Sequence, residues 1–201
     1  WLERTNTKGT IRLYGTPAEE GGSGKVYIAR DGYFDDVDVV LHWHPDDSNR
    51  AHYSSSNGNK SAKFKFKGIS AHAAGAPQNG RSALDGVEAM NMMVNMMREH
   101  MDEEARIHYV ITKGGLAPNV VPEEAEVYYY VRHPEVEGVK ELFNRVVMTA
   151  EGAAIGTETE MTYEVMHGNY PLMPNKTLSS LIDEELNMSV SYTHLTLPTK
   201  G

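Results

Sequence analysis

The 201 residues contain no cysteine. That excludes disulfides and thiolate metal ligands and leaves His, Asp and Glu as the side chains from which a metal site could be built. Long apolar runs are missing too. Nothing approaches the roughly 20 consecutive apolar residues a bilayer crossing needs, and nothing resembles a secretory signal, so no membrane partner is expected. Basic charge is in deficit: 19 Lys and Arg stand against 28 Asp and Glu, a net charge of −9 with a pI near 5.5. Proteins that track phosphates concentrate Lys and Arg, so nucleic acid is not an expected partner either. A cysteine-free chain without an export signal fits the cytoplasm. What remains is ordinary globular material, with 40% hydrophobic and 23% charged residues and nine prolines, enough to bury a core in one large domain or two small ones.

Both ends are unusual. The chain opens on Trp1-Leu2-Glu3-Arg4 without an initiator Met, as though a helix were already under way, which implies residues upstream. At the other end Val190-Ser191-Tyr192-Thr193-His194-Leu195 reads like the translation of a sequencing-library adapter, so residues 189–201 are set aside as an artefact and His194 with them.

Between the ends, hydrophobic periodicity predicts two kinds of region. Residues 10–14 read as a short strand, 24–31 as a helix and 37–43 as a strand with the near-continuous apolar run Val37, Val39, Val40 and Leu41. A strand buried on both faces has that pattern, which predicts part of an α/β domain with a mainly parallel sheet. The polar, turn-rich stretch 45–60, with Ser54-Ser55-Ser56-Asn57-Gly58-Asn59, marks a boundary. Beyond it Phe64 and Phe66 alternate with Lys63, Lys65 and Lys67, a strand with one buried face. Leu84, Val87, Met90, Val94, Met97 and Met101 recur every three or four residues, a helix whose Met stripe is core packing rather than a binding surface. Strands at 107–113, 126–132 and 160–166 and a helix through Val139, Leu142, Phe143, Val146 and Ala150 complete β-α-β-β-α-β, the ferredoxin-like order. A last helix is expected at 176–186.

Two clusters could carry chemistry. Glu19 and Glu20 are adjacent in the turn Gly15-Thr16-Pro17-Ala18-Glu19-Glu20-Gly21-Gly22, directly after a predicted strand. In an open α/β sheet ligands bind beyond the carboxyl ends of strands, and two neighbouring carboxylates there face different ways. Most such pairs are nevertheless solvated surface. His42 and His44, two apart on the next predicted strand, project to the same side before Pro45 stops it. Imidazole is a common metal ligand near neutral pH, although unliganded strand histidines are as ordinary a reading.

Four segments in order are more specific than any one of them: Gly15 to Gly22, Leu41-His42-Trp43-His44-Pro45, Gly68-Ile69-Ser70-Ala71-His72-Ala73-Ala74-Gly75 and Pro118-Asn119-Val120-Val121-Pro122. Together they resemble the metallo-aminoacylase and carboxypeptidase family of amidohydrolases. The resemblance implies a catalytic domain over 1–59, a ferredoxin-like lid and dimerisation domain over 60–168, and a return to the catalytic domain over 169–188. It implies two divalent metal ions, Zn or Mn, and hydrolysis of a small-molecule amide next to a carboxylate, an aryl-amide of glutamate or another N-acyl amino acid. Glu19 would be the general base and Glu20 a metal ligand, with His42 or His44 as a further ligand. His72 would polarise the scissile carbonyl, often across a dimer, while Asn119 and Arg132 would contact the substrate's carbonyl and carboxylate; a bidentate Arg suits a carboxylate. A base in a desolvated cleft would have a raised pKa. The family's remaining metal ligands have no counterpart here, so this chain alone is expected to be inactive. A homodimer through the lid, or a paired subunit, is the expected assembly, and a non-catalytic auxiliary or metabolite-binding subunit of the same fold is the alternative.

Overall fold

The computed structural model describes residues 2–47 and 50–189; the tail set aside above lies outside the described residues apart from Ser189. The chain divides between Val39 and Val40 into two compact units.

In the first unit, three short helices, α1 (Leu2–Thr5), α2 (Glu19–Gly22) and α3 (Gly24–Arg30), are joined by irregular chain. Arg12 ties it together with two 2.5 Å hydrogen bonds to the Asp36 carboxylate, which holds that carboxyl below the usual Asp range. Tyr14 adds an edge contact to Phe34, with ring centroids 4.9 Å apart, and donates its hydroxyl hydrogen to the Tyr33 carbonyl at 2.8 Å. The predicted helix is present as α3. The two predicted strands are not: residues 10–14 and 37–43 lie outside helix and strand. Leu13 is 98% exposed and Trp43 85%. An apolar extended segment becomes a strand only when neighbours take its N–H and C=O groups, and among the described residues none pairs with either segment.

In the second unit, β1 (Gly58–Lys67), α4 (Ala83–Met97), β2 (Arg106–Lys113), β3 (Glu124–His133), α5 (Val136–Thr157) and β4 (Glu160–Asn169) follow the predicted order. They make an antiparallel four-stranded sheet in the order β2-β3-β1-β4, the ferredoxin-like arrangement. A final helix, α6, spans Lys176–Ser189.

Why these residues fold this way follows from the alternation. Phe64 and Phe66 of β1 and Val127, Tyr129 and Val131 of β3 are almost fully buried beneath Val87, Met90 and Val94 of α4 and Phe143, Val146 and Ala150 of α5. The Met stripe is core, as its spacing predicts. Ser82 caps α4 by accepting the Asp85 amide at 3.1 Å. Tyr129, buried in this layer, donates to Asn91 of α4, and burial pushes its hydroxyl pKa far upward. Among the described residues, α4 and α5 both pack on this one face of the sheet, and no helix of this unit packs against the opposite face. Its cross-strand rows are polar, with Lys63, Lys65, Glu126, Tyr128, Tyr130 and Arg132 in register.

Candidate active-site residues

The loop after β1 and the loop before β3 meet beyond one end of the sheet. His72 forms an isolated bridge with Val120, and the Ala73 amide donates to the Asn119 carbonyl at 3.0 Å, so the two loops hold His72 and Asn119 side by side. His72 is exposed, yet its ring is fixed: Nδ1 accepts the amides of Ala74 at 3.2 Å and Gly75 at 2.9 Å. A neutral imidazole that accepts at Nδ1 carries its hydrogen on Nε2, so the outward nitrogen is a donor. The small residues of Ser70-Ala71-His72-Ala73-Ala74-Gly75 allow the chain to turn closely around the ring; a Cβ on Gly75 would sit 3.3 Å from Nδ1.

Arg132 lies elsewhere. It is opposite Asn59 in the ladder, eight residues along β3 from Glu124. At a strand rise of about 3.3 Å that places it roughly 25 Å from the His72–Asn119 end. Its guanidinium lies 5.6 Å from the centre of the Tyr130 ring, and its Nε is buried without a hydrogen-bond partner. His167 is buried on the same face, where its Nε2 meets the Tyr130 hydroxyl at 3.1 Å; burial and then Arg132 lower its pKa. Tyr130, Asn59 and Ser61 were not singled out by sequence reasoning. The only signal for them was polar residues keeping strand register on the side opposite Phe64 and Val127.

Glu19 and Glu20 open the single-turn helix α2 in the first unit, after Ala18 in a left-handed conformation (φ 58°), and both are exposed rather than set in a desolvated cleft. His42 and His44 belong to the second unit and are likewise exposed, and the Nδ1 of His44 lies 2.7 Å from the Pro45 carbonyl. Carboxylate and imidazole are the right kind of donors for Zn or Mn. Their number falls short, because among the described residues no three His, Asp or Glu come close enough to hold one ion.

A four-stranded antiparallel sheet with two helices on one face and a loop-borne histidine beyond one end defines a ferredoxin-like α+β module. The family model for the peptidase dimerisation domain matches residues 54–158, and the chain belongs to this family. Over 188 residues it is 45% identical to one of the subunits of the p-aminobenzoyl-glutamate hydrolase of Escherichia coli (strain K12), covering 93% of this chain and 39% of that protein. It is 34% identical to the Xaa-Arg dipeptidase of Mus musculus over 175 residues, 87% of this chain and 40% of the relative. Among solved structures, an aminobenzoyl-glutamate utilization protein from Klebsiella pneumoniae shares the fold with a TM-score of 0.54 at 21% identity, over 62% of this chain and 32% of that one. The family resemblance carried by the four motifs is borne out. The chain spans about two-fifths of the length of the curated relatives it matches. No helix among the described residues is long and apolar enough to cross a membrane.

Proposed function

We propose that the chain is part of a metal-dependent amidohydrolase that cleaves an amide bond next to a carboxylate, with an N-acyl glutamate such as aminobenzoyl-glutamate as the substrate type. The observation that supports this most directly is the identity to two relatives whose names describe amide hydrolysis. Glu19 takes the proton of the attacking water and passes it to the departing nitrogen. His72 donates from Nε2 to the scissile carbonyl oxygen, Asn119 adds a second polar contact there, and Arg132 takes the substrate carboxylate. Glu20 and one of His42 and His44 are donors to divalent metal, Zn or Mn, which when bound would supply an acidified water. These donors form no cluster of three among the described residues, and the 201-residue chain alone is expected to turn over nothing. Residues 1–59 and 169–188 are the catalytic part and 60–168 the lid, in a cytoplasmic protein.

The 25 Å between the His72–Asn119 end and Arg132 exceeds what one small substrate spans, so the two ends serve different sites. Two copies resolve this. Along β2, Tyr109, Val110 and Ile111 are partly or largely exposed, and Met92 and Met96 of α4 are exposed as well. Antiparallel pairing of two β2 edges would set the Arg106 end of one copy beside the Lys113 end of the other. His72 of the partner subunit then comes within about three strand spacings, roughly 15 Å backbone to backbone, of Arg132. The side chains and a bound substrate fill that gap.

The test uses a chimera in which the segment matched in the Escherichia coli relative is replaced by this chain. Glu19→Gln is expected to lower kcat by about 10²–10⁴ with metal content unchanged. Undiminished turnover removes Glu19 as the base and favours an auxiliary, non-catalytic role.

A further inference from the structure

The open face of the sheet is charge-balanced at one end and unbalanced at the other. Towards the His72 end Lys63 pairs with Glu126, Lys65 with Glu164 and Lys113 with Glu124. Towards the far end two arginines, Arg106 and Arg132, stand directly opposite each other in the β2–β3 register, and among the described residues no carboxylate lies within ion-pair distance of either. Like charges opposite one another in a sheet are unfavourable. The field reaches their neighbours: His108, facing Tyr130 in the next row, has its pKa lowered by burial and then by Arg132, Arg98 and Arg106.

Beneath these charges lies a second, independent feature. Asn59 is opposite Arg132 on β1 and only 6% exposed, and its Oδ1 has no hydrogen-bond partner; neither has the buried Nε of Arg132. One buried acceptor and one buried donor thus share a row, both unsatisfied, in a fold where such atoms are ordinarily paired. The adjoining rows are built firmly. Ser61 is fully buried and lies within hydrogen-bond distance of the Tyr128 hydroxyl (3.4 Å) and the His167 carbonyl (3.3 Å), and the Tyr130–His167 pair backs the Arg132 guanidinium.

We infer that this end of the open face is a binding site for an N-acylated acidic amino acid, in which Arg106 takes the side-chain carboxylate. The inference rests on the carboxylate role of Arg132 given above and adds the determinant of side-chain specificity. A carboxylate and an N–H on the same carbon meet the Arg132 donor and the Asn59 acceptor as that pair turns towards the ligand. The second carboxylate, two methylenes away in a glutamate, relieves the repulsion between Arg132 and Arg106 by lying between them. A monocarboxylate of the same length leaves Arg106 unneutralised, so the site discriminates by charge rather than size. Tyr130 and His167 are positioning residues, because they hold the guanidinium without touching the ligand.

The experiment is an NMR shift titration of the 201-residue chain with N-acetyl-glutamate and with N-acetyl-norvaline, which lacks the second carboxylate. N-acetyl-glutamate is expected to bind about tenfold more tightly, the effect of one charge-assisted pair. Arg106→Gln should erase that ratio while leaving N-acetyl-norvaline unchanged, which also shows that the variant is folded. Arg132→Gln should weaken both. Lys65→Gln, on the same face but paired with Glu164, should alter neither. Equal binding of the two probes, no binding of either, or a loss of discrimination in Lys65→Gln equal to that in Arg106→Gln overturns the assignment. All three outcomes leave the hydrolase reading to the Glu19→Gln test.

Discussion

At Gly86, in the first turn of α4, the helix crosses β1 so closely that a Cβ would lie 2.5 Å from Cδ1 of Phe66 and 3.1 Å from Oγ1 of Thr159. Phe66 is 2% exposed and has no room to retreat. Gly86→Ala should gain about 1 kcal/mol of helix propensity but overpack the core at a cost of about 1–3 kcal/mol. A net loss of stability is expected, read as a lower urea midpoint at unchanged m-value; a higher midpoint would show that Phe66 repacks freely. Gly138 is tighter still, since a Cβ there would meet the His133 ring at 2.2 Å. That ring is pinned between the Asp102 carboxylate at 3.0 Å and the Glu135 amide at 2.9 Å. Residues of this kind are half legible from sequence. A glycine inside an apolar helical stripe announces a close approach, but not to which ring. His72 could be singled out by its motif, whereas the two amides that fix its tautomer come from the fold of the loop.

Among the elements, those with one wet face were readable and the others were not. Period 2 in 63–67 and a three-to-four spacing from Leu84 to Met101 specify both the element and its buried side, so β1 to β4, α4 and α5 appear where predicted. Residues 10–14 and 37–43 have apolar content but, among the described residues, no paired neighbour that would make it a strand, and no local pattern reports a neighbour. The open face was read only as solvated, because alternation shows which residues leave the core but not what they meet on the other side. Its two histidines give a pH dependence. His108 and His167 have folded-state pKa values lowered from 6.5, by burial first and Arg132 next. As pH falls through 6.5 the unfolded chain takes up protons before the folded chain does, so stability present above 6.5 is lost on acidification. The thermal midpoint should therefore drop between pH 7.5 and 5.5. His167→Gln should flatten that drop, as should Arg132→Gln, because the arginine acts on both histidines. A pH-independent midpoint in the unsubstituted chain would contradict this account.

For the whole molecule, the decisive quantity is the separation along β3. His72 and Asn119 stand past its Glu124 end and Arg132 near its His133 end, about 25 Å apart at the usual rise per residue, in a chain that belongs to a dimerisation-domain family. If each site takes His72 from one protomer and Arg132 from the other, defects in the two residues complement. Let His72→Phe and Arg132→Gln be made separately in the chimera with the Escherichia coli relative, where each variant alone should lose most of its activity. In a mixed dimer, one site combines the intact Arg132 of the first variant with the intact His72 of the second, and the other site combines both defects. Random exchange of equal amounts makes half the dimers mixed, each with one of its two sites restored. About a quarter of the unsubstituted activity should return in a twofold-symmetric assembly of this kind. If both residues served the site of their own chain, every site in every dimer would keep one defect and mixing would restore nothing. The recovered fraction therefore distinguishes a shared site from two separate ones, with the chain's own strand length setting the expectation.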